Sequence, residues 1–287
     1  MRVGIVDALT LPEWAEFWER FLDELGVETL RPAATPERPA PALDFAPCLA
    51  VARLADAVAR LKRDADRVIV PRLADLHEAA EPVRGASLDC PWLVDLDATM
   101  SAMLPGLPAI HVLPARLDAA TGVAAAALAQ ALGKSGAQTR RALGRVEPAI
   151  ARARRADIPP GAIAVLGQPY LLADSALRAA LAAAATRPLI YQDQLTGETL
   201  SAELARQESP SPLSTDREMA GAMTYLDRHP GVAGILAIVS VNCPPIPRLV
   251  DRLFNGARKP VQVALIDQAA AVTSPLHKLE ARVDQRR

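Results

Sequence analysis

Aromatic side chains are scarce in this 287-residue sequence, at 3%, so its core has to be assembled largely from Ala, Val, Leu and Ile. A disordered chain is excluded all the same, because apolar residues make up 51% and charged residues 23%, as in ordinary globular proteins. Net charge is nearly absent too. Lys and Arg number 32 against 33 Asp and Glu, leaving −1 and no overall field to attract nucleic acid or an anionic membrane. No apolar run approaches the ~20 residues that span a bilayer, and the N-terminus lacks a basic region followed by an apolar stretch. The expectation is a cytoplasmic protein. Cysteine is limited to Cys48, Cys90 and Cys243, an odd number far apart in sequence, which is no disulfide framework.

Common catalytic signatures are missing as well. Gly133-Lys134-Ser135 resembles the end of a phosphate-binding loop, but Leu128 stands where the upstream glycine belongs, and the stretch leaves a helix rather than a strand. ATP hydrolysis by this chain is therefore rejected. His77-Glu78 opens a zinc-protease pattern that fails at Glu81, where a second histidine is required. There is no Gly-x-Gly-x-x-Gly after the first strand, no Gly-x-Ser-x-Gly and no Cys-x-x-Cys. The arginines from Arg140 to Arg155 read first as a solvated helix face, with contact to a phosphate or an acidic partner as the alternative. His111, His229 and His277 are isolated and read as structural.

What is present is alternation of strand and helix signals. Arg2 to Val6 is a short buried-strand pattern; Leu11, Trp14, Phe17, Trp18, Phe21, Leu22 and Leu25 then recur at helical spacing. Thr10 with Glu13 forms a capping pattern at the start of that helix, Pro12 suits its first turn, and Gly26 stops it. A strand at Val27 to Leu30, a helix at Leu49 to Lys62 and a strand at Arg67 to Val70 complete a wound parallel unit. Residues 119–160 read as a helical connector ending at Pro159, Pro160 and Gly161. Strands at Ala162 to Leu166, Pro188 to Tyr191, Gly234 to Ser240 and Val261 to Ile266 follow. They alternate with helices near Ser175 to Ala185, Asp216 to Arg228, Ile246 to Asn255 and Pro275 to Asp284, with a Ser- and Pro-rich loop at Glu208 to Thr215. The fold class is α/β: two wound parallel-sheet domains, 1–118 and 161–287, joined by the helical segment, with the site between them.

The cysteines fall at telling places in this pattern. Cys48 and Cys243 each lie just before a helix, and Cys243 directly follows a strand, where open α/β sheets place ligands. A helix N-terminus favours thiolate over thiol. Cys90 sits in a loop with Pro91 behind it. Three thiolates without a fourth suit an iron-sulfur cubane with one iron left open; the competing reading is three unrelated small apolar residues.

A series of short segments runs through the chain, beginning with Met1 to Ile5, the Phe17-Trp18 helix and Glu24-Leu25-Gly26-Val27, followed by Cys48-Leu49 and Val68-Ile69-Val70-Pro71-Arg72. Cys90-Pro91, Gly106-Leu107-Pro108, Gly167-Gln168-Pro169-Tyr170 with Asp174, and Ser240-Val241-Asn242-Cys243-Pro244 come next, and Asp267, Thr273, Leu279, Glu280 and Asp284 close the series. In these segments and their order the chain resembles, from end to end, the 2-hydroxyacyl-CoA dehydratase family and the related domain associated with acyl-CoA dehydratase activases.

The resemblance implies that Cys48, Cys90 and Cys243 hold a 4Fe-4S cluster, or half of a double-cubane cluster shared with a homologous subunit. It also implies a separate ATP-dependent activator as electron donor and an acyl-CoA thioester as substrate for a dehydratase-like lyase or reductase component. Gln168, Tyr170 and Ser240 are expected around the cluster ligands. The chain departs from the family's pattern at Val6-Asp7, Ala50, Ala52, Gln168 and Asp267-Gln268-Ala269, where basic or acid-base groups are the rule. Those losses weaken the case for binding anionic CoA and keep two rivals open. One is a non-catalytic scaffold or partner subunit of a dehydratase and activase system. The other is a metal-free α/β protein that binds a small molecule.

Overall fold

The computed structural model describes residues 1–10, 12–32, 48–72, 93, 95–115, 117, 119–146, 157–205, 214–241, 243, 253–266 and 269–286. The chain forms two compact units. The first draws on Met1–Ala46, Ala50–Leu76 and Pro91–Ala153; the second on Pro47–Leu49 and Arg154–Arg287, as far as the described residues go.

In the first unit, β1 (Arg2–Ile5), α1 (Pro12–Glu24), β2 (Glu28–Leu30), α2 (Leu49–Leu61), β3 (Arg67–Arg72), α3 (Leu96–Met103), β4 (Ala109–Pro114), α4 (Ala119–Ala131) and α5 (Gly136–Val146) follow in order. The sheet runs β2-β1-β3-β4, all parallel. Strand side chains alternate between two covered faces. Val3, Ile5, Ile69 and Leu113 share a core with α1, α4 and α5, while a Cβ on Gly4 would meet Leu61 of α2 and the following Ala65. Burial on both sides is why the two central strands, β1 and β3, are short, mostly apolar runs rather than half-polar ones.

Four of the ten aromatic residues are gathered on α1. Trp14, Phe17, Trp18 and Phe21 touch ring to ring at centroid distances of 5.0 to 6.3 Å, and the Trp14 Nε1–H donates to the Pro114 carbonyl at 2.7 Å, tying α1 to the end of β4. α1 stops where the sequence predicts. Gly26 takes φ +67°, and the Gly26 and Val27 N–H groups return to Asp23 and Leu22 carbonyls at 2.8 and 3.0 Å. The helices of the 119–160 segment, α4 and α5, contribute Ala125, Leu128, Ala142 and Val146 to the same core as Trp14 and Phe21.

The second unit contains β5 (Ala162–Gly167), the one-turn α6 (Pro169–Leu172), α7 (Ser175–Ala184), β6 (Leu189–Tyr191), α8 (Gly197–Leu204), α9 (Ser214–Arg228), β7 (Val232–Ser240), β8 (Val261–Ile266) and α10 (Thr273–Asp284). Its sheet is again parallel, in the order β6-β5-β7-β8. Ala162, Ala164, Leu166 and Ile235 pack with Leu200, Met219, Met223 and Leu226 of α8 and α9. Gly234 faces Leu279 and Val283 of α10 instead. The expectation of two wound parallel α/β domains is met. The helix expected at Ile246 to Asn255 falls mostly outside the described residues, as does most of the Glu208 to Thr215 loop. β4, α3 and α8 are elements that the sequence pattern did not mark.

Candidate functional site

Each sheet reverses its winding between its first and third strands, and in such sheets the space beyond the carboxyl ends of those two strands is the natural place for a ligand. In the second unit these are β5 and β7, adjacent and parallel with Gly167 opposite Ile238. Gln168 follows β5 directly; Ser240 closes β7, and Cys243 comes three residues later.

The structure brings Gln168 and Cys243 together. Gln168 Nε2 donates to Cys243 Sγ at 3.2 Å, across 75 residues of sequence. The backbone of Gln168 is fixed because its carbonyl accepts the Leu171 and Leu172 N–H groups of α6 at 2.9 and 3.1 Å. The Cys243 N–H turns back to the Ser240 carbonyl at 3.3 Å. A third strand end contributes Gln192, in the turn after β6, whose Oε1 accepts the Gly167 N–H at 3.3 Å. Gln168, Gln192 and Ser240 are 3%, 0% and 4% exposed. Even so, Gln168 Oε1, Gln192 Nε2 and Ser240 Oγ meet no hydrogen-bond partner among the described residues. A buried polar atom left unpaired costs about 1–3 kcal/mol, so three of them at neighbouring strand ends mark a place built for something besides packing.

The flanks of this place are stiffened. Asp174 caps α7 by accepting the Leu177 N–H at 2.9 Å. Arg178 donates to Asp193 and to the Leu172 carbonyl, and its guanidinium lies 4.3 Å from the centre of the Tyr191 ring. Burial, the largest influence, pushes the Tyr191 hydroxyl above its usual range. Glu280 accepts the Thr186 and Arg187 N–H groups at 2.9 and 3.1 Å, so this residue of the C-terminal segment anchors the loop between α7 and β6.

The remaining expected residues are distributed as follows. Tyr170 is 3% exposed within α6. Cys48 is 7% exposed, immediately precedes α2, and counts with the second compact unit, as does Cys243, which is partly exposed; both are thiols. Cys90, Asn242, Pro244, Asp267 and Gln268 lie outside the described residues. Among the described residues, no three potential metal ligands gather, and the third cysteine is not one of those residues. Thiol sulfur is the donor type that an iron-sulfur group takes. Cys48 is a thiol at a helix start, and Cys243 is a thiol already receiving an N–H, with unpaired buried polar atoms on the residues beside it.

Two features escaped the sequence reading. Arg53, in the early part of α2, is only 8% exposed, and burial lowers its pKa; an arginine between Val51, Leu54 and Ala55 is the signal that could have drawn attention to it. Gln192 has no sequence signal, since nothing in an isolated Tyr-Gln-Asp turn announces a side chain folded back onto a neighbouring strand. At the matching strand ends of the first unit, Asp7 stands in an ion pair with Arg31 at 3.0 Å, and Arg31 also reaches Glu19 at 2.9 Å. A groove of about 650 Å³ runs along β4, with Arg72, Asp97, His111 and Leu113 among its walls. No helix among the described residues is long and apolar enough to cross a membrane.

No curated protein is similar enough to the chain to count as a match. The activase-associated part of the resemblance is the part with independent support: the profile of one family matches residues 2–187, which cover β1 through α7 and include Gln168. The chain belongs to the family described as CoA enzyme activase uncharacterised domain (DUF2229).

Proposed function

We propose that this chain is an iron-sulfur protein that works beside a CoA enzyme activase, holding one 4Fe-4S cluster through Cys48, Cys90 and Cys243 and taking electrons from a separate ATP-dependent activator. The observation that carries the reading is the Gln168 Nε2–H on Cys243 Sγ at the winding reversal of the second sheet, with Gln168 Oε1 and Ser240 Oγ unpaired beside it. An N–H aimed at sulfur favours the thiolate that a metal requires. The position of Cys48 before α2 favours thiolate for a second reason, the partial positive charge of the helix start. Family membership supports the setting, since it ties the chain to activase systems. When bound, such a cluster supplies a one-electron relay and an iron with an open coordination position. Gln168 would then hold the Cys243 loop in place through its N–H on the sulfur and Ser240 through its carbonyl on the Cys243 N–H, and Gln192 would fix the end of β5 through Gly167.

Whether a CoA thioester is reduced at this site is the finer question. Ala50 and Ala52 are buried, 1% and 8% exposed, where the dehydratases that the chain resembles carry Pro and Lys, and Asp7 is already neutralised by Arg31. These observations favour a second reading, a partner subunit that carries electrons or scaffolds an activase complex without binding CoA.

Anaerobic purification after expression with added iron, followed by iron and acid-labile sulfide analysis, tests the first claim. The expected result is a brown protein with about four irons per chain, lost on Cys48→Ala, Cys90→Ala or Cys243→Ala. A colourless wild type removes the cluster. If an activator ATPase reduces the centre while CoA thioesters leave its spectrum unchanged, the partner-subunit reading stands and the dehydratase reading fails.

A further inference from the structure

The Gln168–Cys243 contact does more than fill space. The side chain of Gln168 is 3% exposed and its backbone is clamped by the two N–H groups of α6, so its amide N–H is held in place on the sulfur. A primary amide offers a neutral donor whose strength does not vary with pH, unlike the histidine found in the resembled Gly-His-Pro-Tyr motif. Hydrogen bonds to a cluster sulfur withdraw charge from it and make an added electron easier to accept. Resting on the cluster reading above, we propose that Gln168 is a positioning residue that sets the reduction potential of the centre from its Cys243 side, holding it higher than three bare thiolates would, through the Nε2–H···Sγ hydrogen bond. Functionally, the chain would then be matched to its electron donor by a side chain that touches neither iron nor substrate.

The test uses the full chain, loaded anaerobically with iron and sulfide, with the midpoint potential read by electron paramagnetic resonance during a redox titration. Gln168→Leu keeps the bulk and removes the donor; the expected result is wild-type iron content with a more negative potential. Gln168→His restores an N–H and is expected to bring the potential back toward wild type. Gln168→Glu, which keeps size and polarity but places negative charge at the sulfur, is expected to shift it further down and serves if the leucine variant does not fold. A loaded Gln168→Leu protein with an unmoved potential overturns the proposal, as does loss of iron from folded Leu and Glu variants alike, which would make Gln168 a holder of the site and not a tuner. A wild type that takes up no iron brings down the cluster reading itself, whereas a brown wild type with insensitive variants brings down only the role of Gln168.

Discussion

Gly167 and Ile238 approach so closely that a methyl group on Gly167 would stand 2.7 Å from the Ile238 carbonyl oxygen. The two residues are register partners on β5 and β7, the strands whose ends carry Gln168 and Cys243. Backbone cannot retreat from such a contact as a flexible side-chain tip could. Gly167→Ala is therefore expected to separate the strand ends, costing about 1–3 kcal/mol in chemical denaturation. It should also loosen the Gln168–Cys243 contact, read as faster alkylation of Cys243 in a Cys48→Ala, Cys90→Ala background. An unchanged midpoint of unfolding would contradict this account of the β5–β7 seam.

Arg178 joins three parts of the second unit at once: the Leu172 carbonyl closing α6, the Asp193 carboxylate and the Tyr191 ring. The Arg178 and Asp193 side chains are 22% and 17% exposed, so solvent screens the pair only partly. Arg178→Ala leaves the Asp193 charge without its guanidinium in a largely enclosed place, and a loss of about 2 kcal/mol is expected. Arg178→Lys should recover only a fraction, because an ammonium cannot present a flat face to Tyr191 while reaching two oxygens in different directions. Equal stability of the lysine variant and the wild type would mean that only the charge matters.

His111 gives the first unit a dependence on pH. It is held below its ordinary pKa of 6.5, first by burial and then by the nearby Arg67 guanidinium, and its Nε2 lies 3.1 Å from Arg67 Nη1, which suits a neutral ring accepting from Arg67. Because the folded state binds this proton less readily than the unfolded state, the contribution is fully present above about 6.5 and is lost as pH falls through the lowered folded value. His111→Gln, which can still accept from Arg67 but does not titrate, should flatten the thermal midpoint between pH 7 and 5 relative to wild type. Parallel curves for the two proteins over that range would remove His111 from the explanation.

Much of this was legible in the sequence. Arg2–Ile5, Arg67–Arg72 and Ala162–Gly167 announce themselves because parallel strands covered on both faces are mostly apolar runs, and α1 announces both its apolar face and its glycine stop. β4 did not. It carries His111, lies between Pro108 and Pro114, forms an open edge of its sheet, and buries only Leu113 fully, so neither an apolar run nor an alternation marks it. In α4 the small Ala side chains hide which face is inside, and the packing of α4 and α5 in the core of α1 is decided by the aromatic ridge that they cover.

The sequence by itself determined the alternation of strands and helices and the placing of Cys48 and Cys243 at the start of a helix or near the end of a strand, because these depend on neighbours within a few positions. Only the tertiary structure decided that Gln168 reaches Cys243 and that Gln192 folds back onto Gly167. In a parallel sheet every crossover separates adjacent strand ends by dozens of residues, and which ends become neighbours is fixed by the order β6-β5-β7-β8, a property of packing that no local pattern encodes.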